Sequence, residues 1–363
     1  MCGSDTVSAG HSVMMKTRDH TVAVTCHLEP TQNLYHLSKL LAGLCELARQ
    51  GRIALHFTTV ADTSLQSSTD ALLNVFITHE GTTTQVVFEL YDRSDSFEMA
   101  LLDAGGVYFK RSFYPPEIRS LPASWQHKVL PFGLNYGCRG PFEESQLLES
   151  SVAQPSLANY RNLLLFENFE RPPDSPVKPS IVFQTRAWAP DSTSDDADDV
   201  NESRAEIIRA LRRSFPGRFY GGFVPNAHAR RCYPDLLTER GNEQNEYIRF
   251  SQRCLIGIST RGLHHSVPFK LPEMMASSRA IVSHSLRTEF PAPYLPGTHF
   301  LEFRSPEECV EQCDRILSDL SLARSLRRAS WQYYQSQVRP GRHVGHLLDR
   351  AIRSQSSATE KRK

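Results

Sequence analysis

The chain has 363 residues, of which 40% are hydrophobic and 22% charged, and its formal net charge at pH 7 is +1. This composition is that of a soluble globular protein long enough for two domains. The near-neutral charge gives no indication of a nucleic-acid partner, and no apolar run approaches the ~20 residues of a transmembrane segment. Residues 1–19 lack the apolar core of a signal peptide. We therefore predict a cytoplasmic protein with a disordered N-terminus.

From residue 20 onward, apolar runs typical of strands alternate with amphipathic stretches typical of helices. The predicted strands are 22–28, 53–60, 73–80, 84–92, 107–113 and 128–136, and the predicted helices are 33–50, 95–102 and 157–169. Strands separated by helices favour a parallel, doubly wound sheet. The proline-rich run 171–179 is typical of a connector, so the first domain is predicted to cover residues 20–170.

A second α/β domain is predicted over residues 171–340, followed by a C-terminal helix and basic tail over 341–363. Its predicted strands are 180–186, 218–223, 254–260, 280–285 and 300–303, and its helices are 202–214, 305–318 and 322–337. The acidic, serine-rich insert 189–203 is too polar to form a core. Ser305, Pro306 and Glu308 form a capping box at the start of a helix.

The segment from Cys254 to His284 predicts a strand, a polar loop, a short helix and a second strand. If the helix opens at Pro268 or Phe269, Lys270 and Glu273 lie on one face of its first turns. Phosphate binds at helix N-termini and to lysine, and a carboxylate accepts hydrogen bonds from a sugar diol. The alternative is that Glu273 only complements the helix dipole while Lys270 is solvated.

Arg186 and His265 are two further candidates for a site at this edge. Arg186 follows the first strand of the second domain, where an arginine can bind a diphosphate; alternatively it pairs with the acidic insert. His265 lies in the loop before the helix and can donate to a sugar hydroxyl. A zinc site is not expected, because His264 and His265 have no carboxylate or cysteine at metal-ligand spacing.

The N-terminal domain offers candidates for the other wall of a cleft. Asp92 lies at a strand end, where a carboxylate can act as general base; alternatively Asp92 or Ser94 caps the next helix. His27, at the end of the first strand, is either a second candidate base or a structural histidine.

Other standard sites are missing from the sequence. It contains no phosphate-binding loop, dinucleotide-binding glycine motif, nucleophile elbow or zinc-protease motif. Asp196 and Asp198 match a metal-binding D-x-D pattern, but they lie in the polar insert rather than after a strand. Cys309 and Cys313, one helical turn apart, are expected on the buried face of their helix. No metal is therefore predicted.

The run K-x-x-E-M-M-A-S-S-R-A-I-V-S, from Lys270 to Ser283, resembles the donor-site segment of GT-B-fold glycosyltransferases. In particular, it resembles the spore-maturation-type and group 1 enzymes. The resemblance implies two Rossmann-like domains that face each other across a cleft. Glu273 corresponds to the second carboxylate of that family's E-x7-E motif, which holds the nucleotide ribose. His265 replaces the first carboxylate, and Ser278 or Arg279 replaces the usual glycine.

This resemblance implies a metal-independent hexosyltransferase that transfers a sugar from a nucleotide sugar to a glycan or other hydroxyl acceptor. The nucleotide sugar is a co-substrate, and no cofactor is expected. Lys110 and Arg111 lie in a run, Y-F-K-R-S-F, that resembles another segment of the same group and would approach the acceptor or the donor phosphate. The alternatives are an inactive GT-B-like protein that binds a nucleotide sugar or glycan and, less favoured without an export signal, a two-lobed solute-binding protein.

Overall fold

The computed structural model describes residues 22–29, 32–59, 70–141, 154–190, 196–238 and 243–360. The strands of the N-terminal domain are β1 Val22–Leu28, β2 Ala54–Thr59, β3 Leu72–His79, β4 Thr82–Glu89, β5 Val107–Lys110 and β6 Val129–Pro131. The helices before the second domain are α1 Leu34–Arg49, α2 Met99–Ala104, α3 Pro115–Ser120, α4 Ala123–Gln126, α5 Gln154–Arg161 and α6 Phe166–Phe169. The six strands form one sheet in the order β2-β1-β3-β4-β5-β6.

The N-terminal sheet is mixed, so the prediction that it is wholly parallel was wrong. β3 and β4 are joined by a two-residue turn, Glu80 and Gly81, with φ angles of 49° and 75°. A turn this short joins antiparallel neighbours. β3 is antiparallel to both β1 and β4, whereas the other pairs are parallel. Because β3 runs opposite to both β1 and β4, β4 runs in the same direction as β1. The carboxyl ends of β1, β4 and β5 therefore still lie at one edge of the sheet.

Helix α1 covers one face of this sheet. Its N-cap is Asn33, whose side chain accepts a hydrogen bond from the amide of Tyr35 at 3.2 Å. The alternation of β1 places Val24, Cys26 and Leu28 in the core beneath the leucines of α1. The apolar residues of the helix and those of the strand are therefore buried in the same core.

The C-terminal domain is built on a five-stranded sheet. Its strands are β7 Lys178–Thr185, β8 Phe219–Phe223, β9 Cys254–Ser259, β10 Ala280–His284 and β11 Leu301–Phe303. Its helices are α7 Ala197–Ser214, α8 Ala227–Cys232, α9 Gln244–Ser251, α10 Lys270–Ala276, α11 Pro306–Ser318, α12 Leu320–Tyr333 and α13 Pro340–Glu360. Short 3₁₀ turns cover Pro234–Leu236 and Leu263–His265, and a π-helical turn covers Tyr334–Val338. The order is β11-β10-β9-β7-β8, and every pair is parallel.

Several predicted helix boundaries differ from those observed. The predicted helix 95–102 is α2, which begins at Met99 after the N-cap Glu98, so neither Asp92 nor Ser94 caps it. The predicted helical stretch 157–169 is two helices, α5 and α6. Helix α7 begins at Ala197 rather than at residue 202, because acidic residues in its first turn, Asp198 and Asp199, suit a helix N-terminus. The predicted helix 322–337 is α12, Leu320–Tyr333, followed by the π-helical turn.

The closing helices begin as the sequence indicates. The Ser305 hydroxyl accepts a hydrogen bond from the amide of Glu308 at 3.2 Å, with Pro306 at the first helical position. Cys309 and Cys313 are both fully buried, which confirms their predicted place on the inner face. After the π-helical turn, α13 returns to the N-terminal domain and packs against α1, where Val344 and Leu347 join the first core.

Two α/β domains therefore face each other, which confirms the predicted fold class. The domain ranges 20–170, 171–340 and 341–363 stay predictions. The expected disordered segment 1–19 and the basic tail at 361–363 lie outside the described residues. Within the described part of the chain, no helix has the length and apolar character needed to cross a membrane.

Candidate active site between the domains

The segments that follow the carboxyl ends of β7 and β9 carry all four predicted donor-site residues, Arg186, His265, Lys270 and Glu273. Helix α10 begins at Lys270, after the N-cap Phe269, rather than at Pro268 or Phe269, and Lys270 and Glu273 lie in its first turn, as predicted. The Lys270 ammonium lies 3.4 Å from the centre of the Tyr247 ring. This cation–π contact holds the lysine at the start of the helix.

Glu273 lies one turn further along α10 and is only 8% exposed. Burial raises the pKa of its carboxyl, and Lys270 opposes that rise. Burial also lowers the pKa of Lys270, and the positive charge of Arg186 lowers it further. Within the described part of the chain, no hydrogen bond reaches the Glu273 carboxylate. Glu273 is thus a nearly buried acceptor whose hydrogen-bonding capacity is unused.

Arg186 follows β7 directly, and its side chain is exposed. The buried guanidinium of Arg204 holds the backbone on both sides of this edge. It donates to the carbonyl of Arg186 at 2.8 Å and to the carbonyl of Arg261 at 3.0 Å. Burial lowers the pKa of Arg204 to about 10. Arg204 therefore fixes the backbone from which Arg186 extends.

The loop before α10 adopts a strained conformation. His264 and His265 both have positive φ angles, 55° and 58°, which non-glycine residues adopt rarely. The Asp196 carboxylate accepts a hydrogen bond from the His264 amide at 3.0 Å and pairs with Arg261 at 2.8 Å. Asp196, which the D-x-D pattern singled out, is therefore part of the support of this loop. The ring of His265 is exposed and makes no hydrogen bond to a described residue.

The N-terminal domain contributes Arg111 to the same cleft. Its guanidinium forms a salt bridge with Asp92 and donates to the carbonyl of Val267, across the domain interface, at 2.8 Å. It also lies 4.7 Å from the centre of the Phe269 ring. Arg111 and Asp92, predicted separately, are thus one ion pair that touches the start of α10.

A second arginine, Arg287, crosses the interface in the opposite direction. It donates to the Ser94 hydroxyl of the N-terminal domain at 3.1 Å and to the His264 carbonyl at 2.8 Å. Its guanidinium also lies 4.8 Å from the centre of the Tyr114 ring. Arg287 therefore also ties the strained loop to the N-terminal domain.

Lys110 does not line the cleft, contrary to the prediction. Its side chain is fully buried, and the ammonium pairs with Glu89 on the neighbouring strand and donates to the carbonyl of Ser96 at 2.7 Å. A buried ammonium needs a carboxylate partner, and Glu89 provides it. His27 is not brought to the Arg111 cluster either: its ring contacts Phe76, 4.6 Å away, and it projects opposite to the core residues of β1.

Three aromatic side chains in the cleft were missed by the sequence reasoning. Tyr35 stacks on Phe269 with ring centres 5.5 Å apart, and His36 meets Phe269 edge-on at 5.8 Å. Burial, followed by the charge of Glu273, raises the pKa of Tyr35 to about 12. The Nδ1 atom of His36 is buried without a hydrogen-bond partner among the described residues. Tyr35 and His36 lie in the first turn of the helix that follows β1. Ligands of α/β proteins bind at this edge of the sheet, so the position of the two residues could have marked them as candidates.

The far end of α10 is held by arginines. Ser278 takes a positive φ of 48° where the resembled pattern has glycine. Arg279, which is fully buried, donates to the carbonyl of Ser277 at 2.8 Å, and Arg327 donates to the carbonyl of Ser278 at 3.0 Å. The two cations take up carbonyls at the C-terminal end of the helix.

The part of the chain that contains α10 matches a known family. Residues 204–349 match the family model described as "Glycosyl transferase-like". The match includes Lys270, Glu273 and the loop before them, and it agrees with the resemblance noted in the sequence. No curated protein matches the chain.

Solved structures of similar shape include sugar-nucleotide proteins. One is HepE from Anabaena in complex with UDP-glucose, at 9% identity and a TM-score of 0.44, covering 92% of this chain and 100% of HepE. Another is the UDP-GlcNAc 2-epimerase of Neisseria meningitidis bound to UDP-GlcNAc, at 11% identity and a TM-score of 0.43, covering 91% and 99%. Sucrose-phosphate synthase from Thermosynechococcus elongatus follows at 12% identity and 0.39, covering 88% and 92%. At TM-scores below 0.5, these similarities assign no activity to this chain.

Proposed function

We propose that this protein is a glycosyltransferase that uses a nucleotide sugar bound against α10. One observation carries the proposal: Glu273 is a nearly buried carboxylate with unused hydrogen-bonding capacity, next to Lys270 and within the glycosyl transferase-like segment. A ribose diol supplies two hydroxyl donors that such a carboxylate can accept. Arg186 and Lys270 lie within electrostatic range of each other.

In the proposed reaction, the bond between the sugar and the diphosphate breaks, and negative charge grows on the leaving diphosphate. Arg186 and Lys270 would stabilise that charge, since fixed cations aimed at developing charge lower the barrier most. His265 would donate to a sugar hydroxyl. Its ring is exposed in the loop before α10. No metal or cofactor is part of the proposal, and the nucleotide sugar is the co-substrate.

The acceptor hydroxyl would enter from the N-terminal side, next to Tyr35 and Arg111. If the configuration is inverted, a base must take its proton. Asp92 is one candidate, although its carboxylate is already paired with Arg111. His36 is the other, because burial and the charge of Arg111 lower its pKa and keep the imidazole neutral.

A non-catalytic protein that binds a nucleotide sugar or glycan is the second candidate. One observation favours it. Arg111 already forms a salt bridge with Asp92, donates a hydrogen bond to the Val267 carbonyl and packs on the Phe269 ring. A cleft held closed in this way suits binding or regulation. Slow hydrolysis of the donor, lost in Glu273→Gln, would favour the enzyme. Nucleotide binding without turnover would favour the non-catalytic protein.

The experiment is a thermal-shift panel of the full chain with UDP, GDP, ADP, CMP and dTDP. We expect one nucleotide to raise the Tm of the wild type but not that of Glu273→Gln. The matched control is Glu311→Gln, which removes an exposed carboxylate on α11 and should keep the response. No response of the wild type to any of the five would contradict the proposal, and an equal response of Glu273→Gln would contradict the role of this carboxylate.

A further inference from the structure

A cavity of about 440 Å³ lies where the end of α1 meets the start of α13, on residues that the proposed reaction does not use. It is lined by Glu46, Gln50, Arg52, Arg339, Gly341 and Arg342. Cavities of this size are in the range that holds small molecules. Its walls come from the N-terminal domain on one side and from the returning C-terminal segment on the other.

The only carboxylate in the lining is already occupied within the protein. One oxygen of Glu46 accepts from Arg339 at 2.8 Å and from Gln50 at 3.3 Å, and the other accepts from the amide of Gly341 at 3.1 Å. Arg339 also donates to Glu170 at 3.0 Å. Glu46, Glu170 and Arg339 therefore form one network, in which the Glu46 carboxylate serves the packing of α13 on α1.

Arg52 and Arg342 have no such compensation. Neither guanidinium forms a salt bridge or hydrogen bond with any residue in the described ranges. Arg52 lies close over α13, since a Cβ built on Gly345 would meet its Nη1 atom at 3.3 Å. Two exposed guanidinium groups without a partner among the described residues thus line one cavity, Arg52 from the turn after α1 and Arg342 from α13. Arginine binds phosphate with paired, parallel hydrogen bonds, which makes this arrangement suited to a dianion.

We infer that this cavity binds the phosphomonoester group of a small polar molecule, such as a sugar phosphate or a nucleoside monophosphate. Arg52 and Arg342 donate to the phosphate oxygens, and the remaining volume accommodates the group that carries the phosphate. Because the ligand bridges α1 and α13, its binding strengthens the docking of α13 on the N-terminal domain. The site is separate from the cleft, and the inference stands whether or not the proposed transfer occurs.

The test is isothermal titration of the full chain with inorganic phosphate, glucose 1-phosphate and AMP at constant ionic strength. The variant Arg52→Gln/Arg342→Gln removes both guanidinium groups. Arg213→Gln/Arg324→Gln is the matched control, since it removes two exposed arginines elsewhere in the chain. We expect the Kd of the tightest of the three probes to rise at least about tenfold in the first variant and to change less than about twofold in the control.

Each other result overturns the inference. If no probe binds the wild type, the cavity has no phosphate affinity. An equal loss in both double variants would show only a general effect of charge. Binding that survives Arg52→Gln/Arg342→Gln but disappears in Arg186→Gln would place the phosphate in the cleft. The ratio of affinities for glucose 1-phosphate and AMP then distinguishes a sugar phosphate from a nucleotide.

Discussion

Two polar residues at the end of α10 adopt arrangements that cost free energy by themselves. Ser278 has a positive φ, and its hydroxyl is buried without a hydrogen-bond partner among the described residues. Arg279 is fully buried and donates to the carbonyls of Ser277 and Cys254. Burial lowers the pKa of Arg279 to about 9. Carbonyls at a helix end offset part of the cost of a buried cation, but no partner among the described residues offsets the burial of the Ser278 hydroxyl.

We expect Ser278→Gly to increase the free energy of unfolding by about 1 kcal/mol, because glycine adopts a positive φ freely and carries no hydroxyl. Urea denaturation measures this change. Ser277→Gly is the matched control. Ser277 has a φ of −96°, and its hydroxyl donates to the carbonyl of Glu273 at 3.0 Å, so this variant should be less stable than the wild type. A destabilised Ser278→Gly would show that the hydroxyl has a function we have not identified.

At the scale of elements, the loop before α10 is held from three directions. Asp196, just before α7, accepts a hydrogen bond from the His264 amide and forms a salt bridge with Arg261. Arg204 donates to the carbonyl of Arg261, and Arg287, at the domain interface, donates to the carbonyl of His264. Successive residues with positive φ persist only where surrounding contacts impose them. The loop is therefore preorganised next to Glu273 and Lys270.

Asp196→Ala should release this loop. We expect a loss of about 1–2 kcal/mol in the free energy of unfolding, because a partly buried ion pair and a capped amide are both removed. Hydrogen exchange should become faster at the amides of residues 262–266 and stay unchanged in β1. In Asp196→Asn, whose side chain can still accept from the His264 amide, the effect should be smaller. Equal exchange in all three proteins would show that the loop is held without Asp196.

The contact between α1 and α13 contains two buried basic side chains. The Lys39 amino group lies 2.9 Å from Nδ1 of His343, whose Nε2 donates to the carbonyl of Phe132 at 2.6 Å. Burial holds the pKa of His343 well below its usual range, and the charge of Lys39 lowers it further. Burial lowers the pKa of Lys39 to about 7. The other titratable groups that act on the pair are Arg111, Cys138 and His346.

Stability should therefore fall as the pH is lowered from 7 to 5. The unfolded chain binds a proton on His343 near pH 6.5, whereas the folded chain does not, so acid favours unfolding by up to about 1.4 kcal/mol per pH unit from this residue. Urea denaturation at several pH values measures the slope. His343→Gln should make the slope smaller, and the exposed His346→Gln should leave it nearly unchanged. The same slope in His343→Gln as in the wild type would rule out this histidine as its source.

At the scale of the whole molecule, the two domains are joined by few polar contacts near the cleft. Arg287 and Arg111 each bond a backbone carbonyl of the C-terminal domain while touching groups of the N-terminal domain. The amide of Glu289 also donates to the carbonyl of Phe113 at 3.0 Å. A buried apolar cluster that contains Tyr136 and Phe169 together with Met275 and Tyr334 also joins the domains, so these polar contacts hold only the part of the interface next to the cleft.

We expect Arg287→Ala to open the cleft. Small-angle X-ray scattering should show a larger radius of gyration, and hydrogen exchange should increase at residues 92–96 and 262–269 together. The free energy involved is about 1–2 kcal/mol, as for other hydrogen bonds to a charged donor. Arg304→Ala is the control, because Arg304 pairs with Glu302 within the C-terminal domain at 3.6 Å. An unchanged radius and unchanged exchange would show that Arg287 does not hold the domains together.

The sequence allowed much of this architecture to be predicted, because most of it depends on local patterns. Three features depend only on neighbouring residues. They are the alternation of buried residues in β1, the capping box at Ser305, and the helical spacing that places Lys270 and Glu273 in one turn. The Lys110–Glu89 pair and the contact between Tyr35 and Phe269 join distant parts of the chain, so no local pattern indicates them. The Glu80-Gly81 turn was a local signal of the antiparallel β3 that the prediction overlooked.

The return of α13 affects the order in which the protein can fold during synthesis. Val344, Leu347 and Leu348 pack in the same core as Val24 and the leucines of α1. The N-terminal domain leaves the ribosome first, yet one wall of its core is made more than 300 residues later. Until then, the apolar surface of α1 that α13 covers is open to chaperones and to other nascent chains.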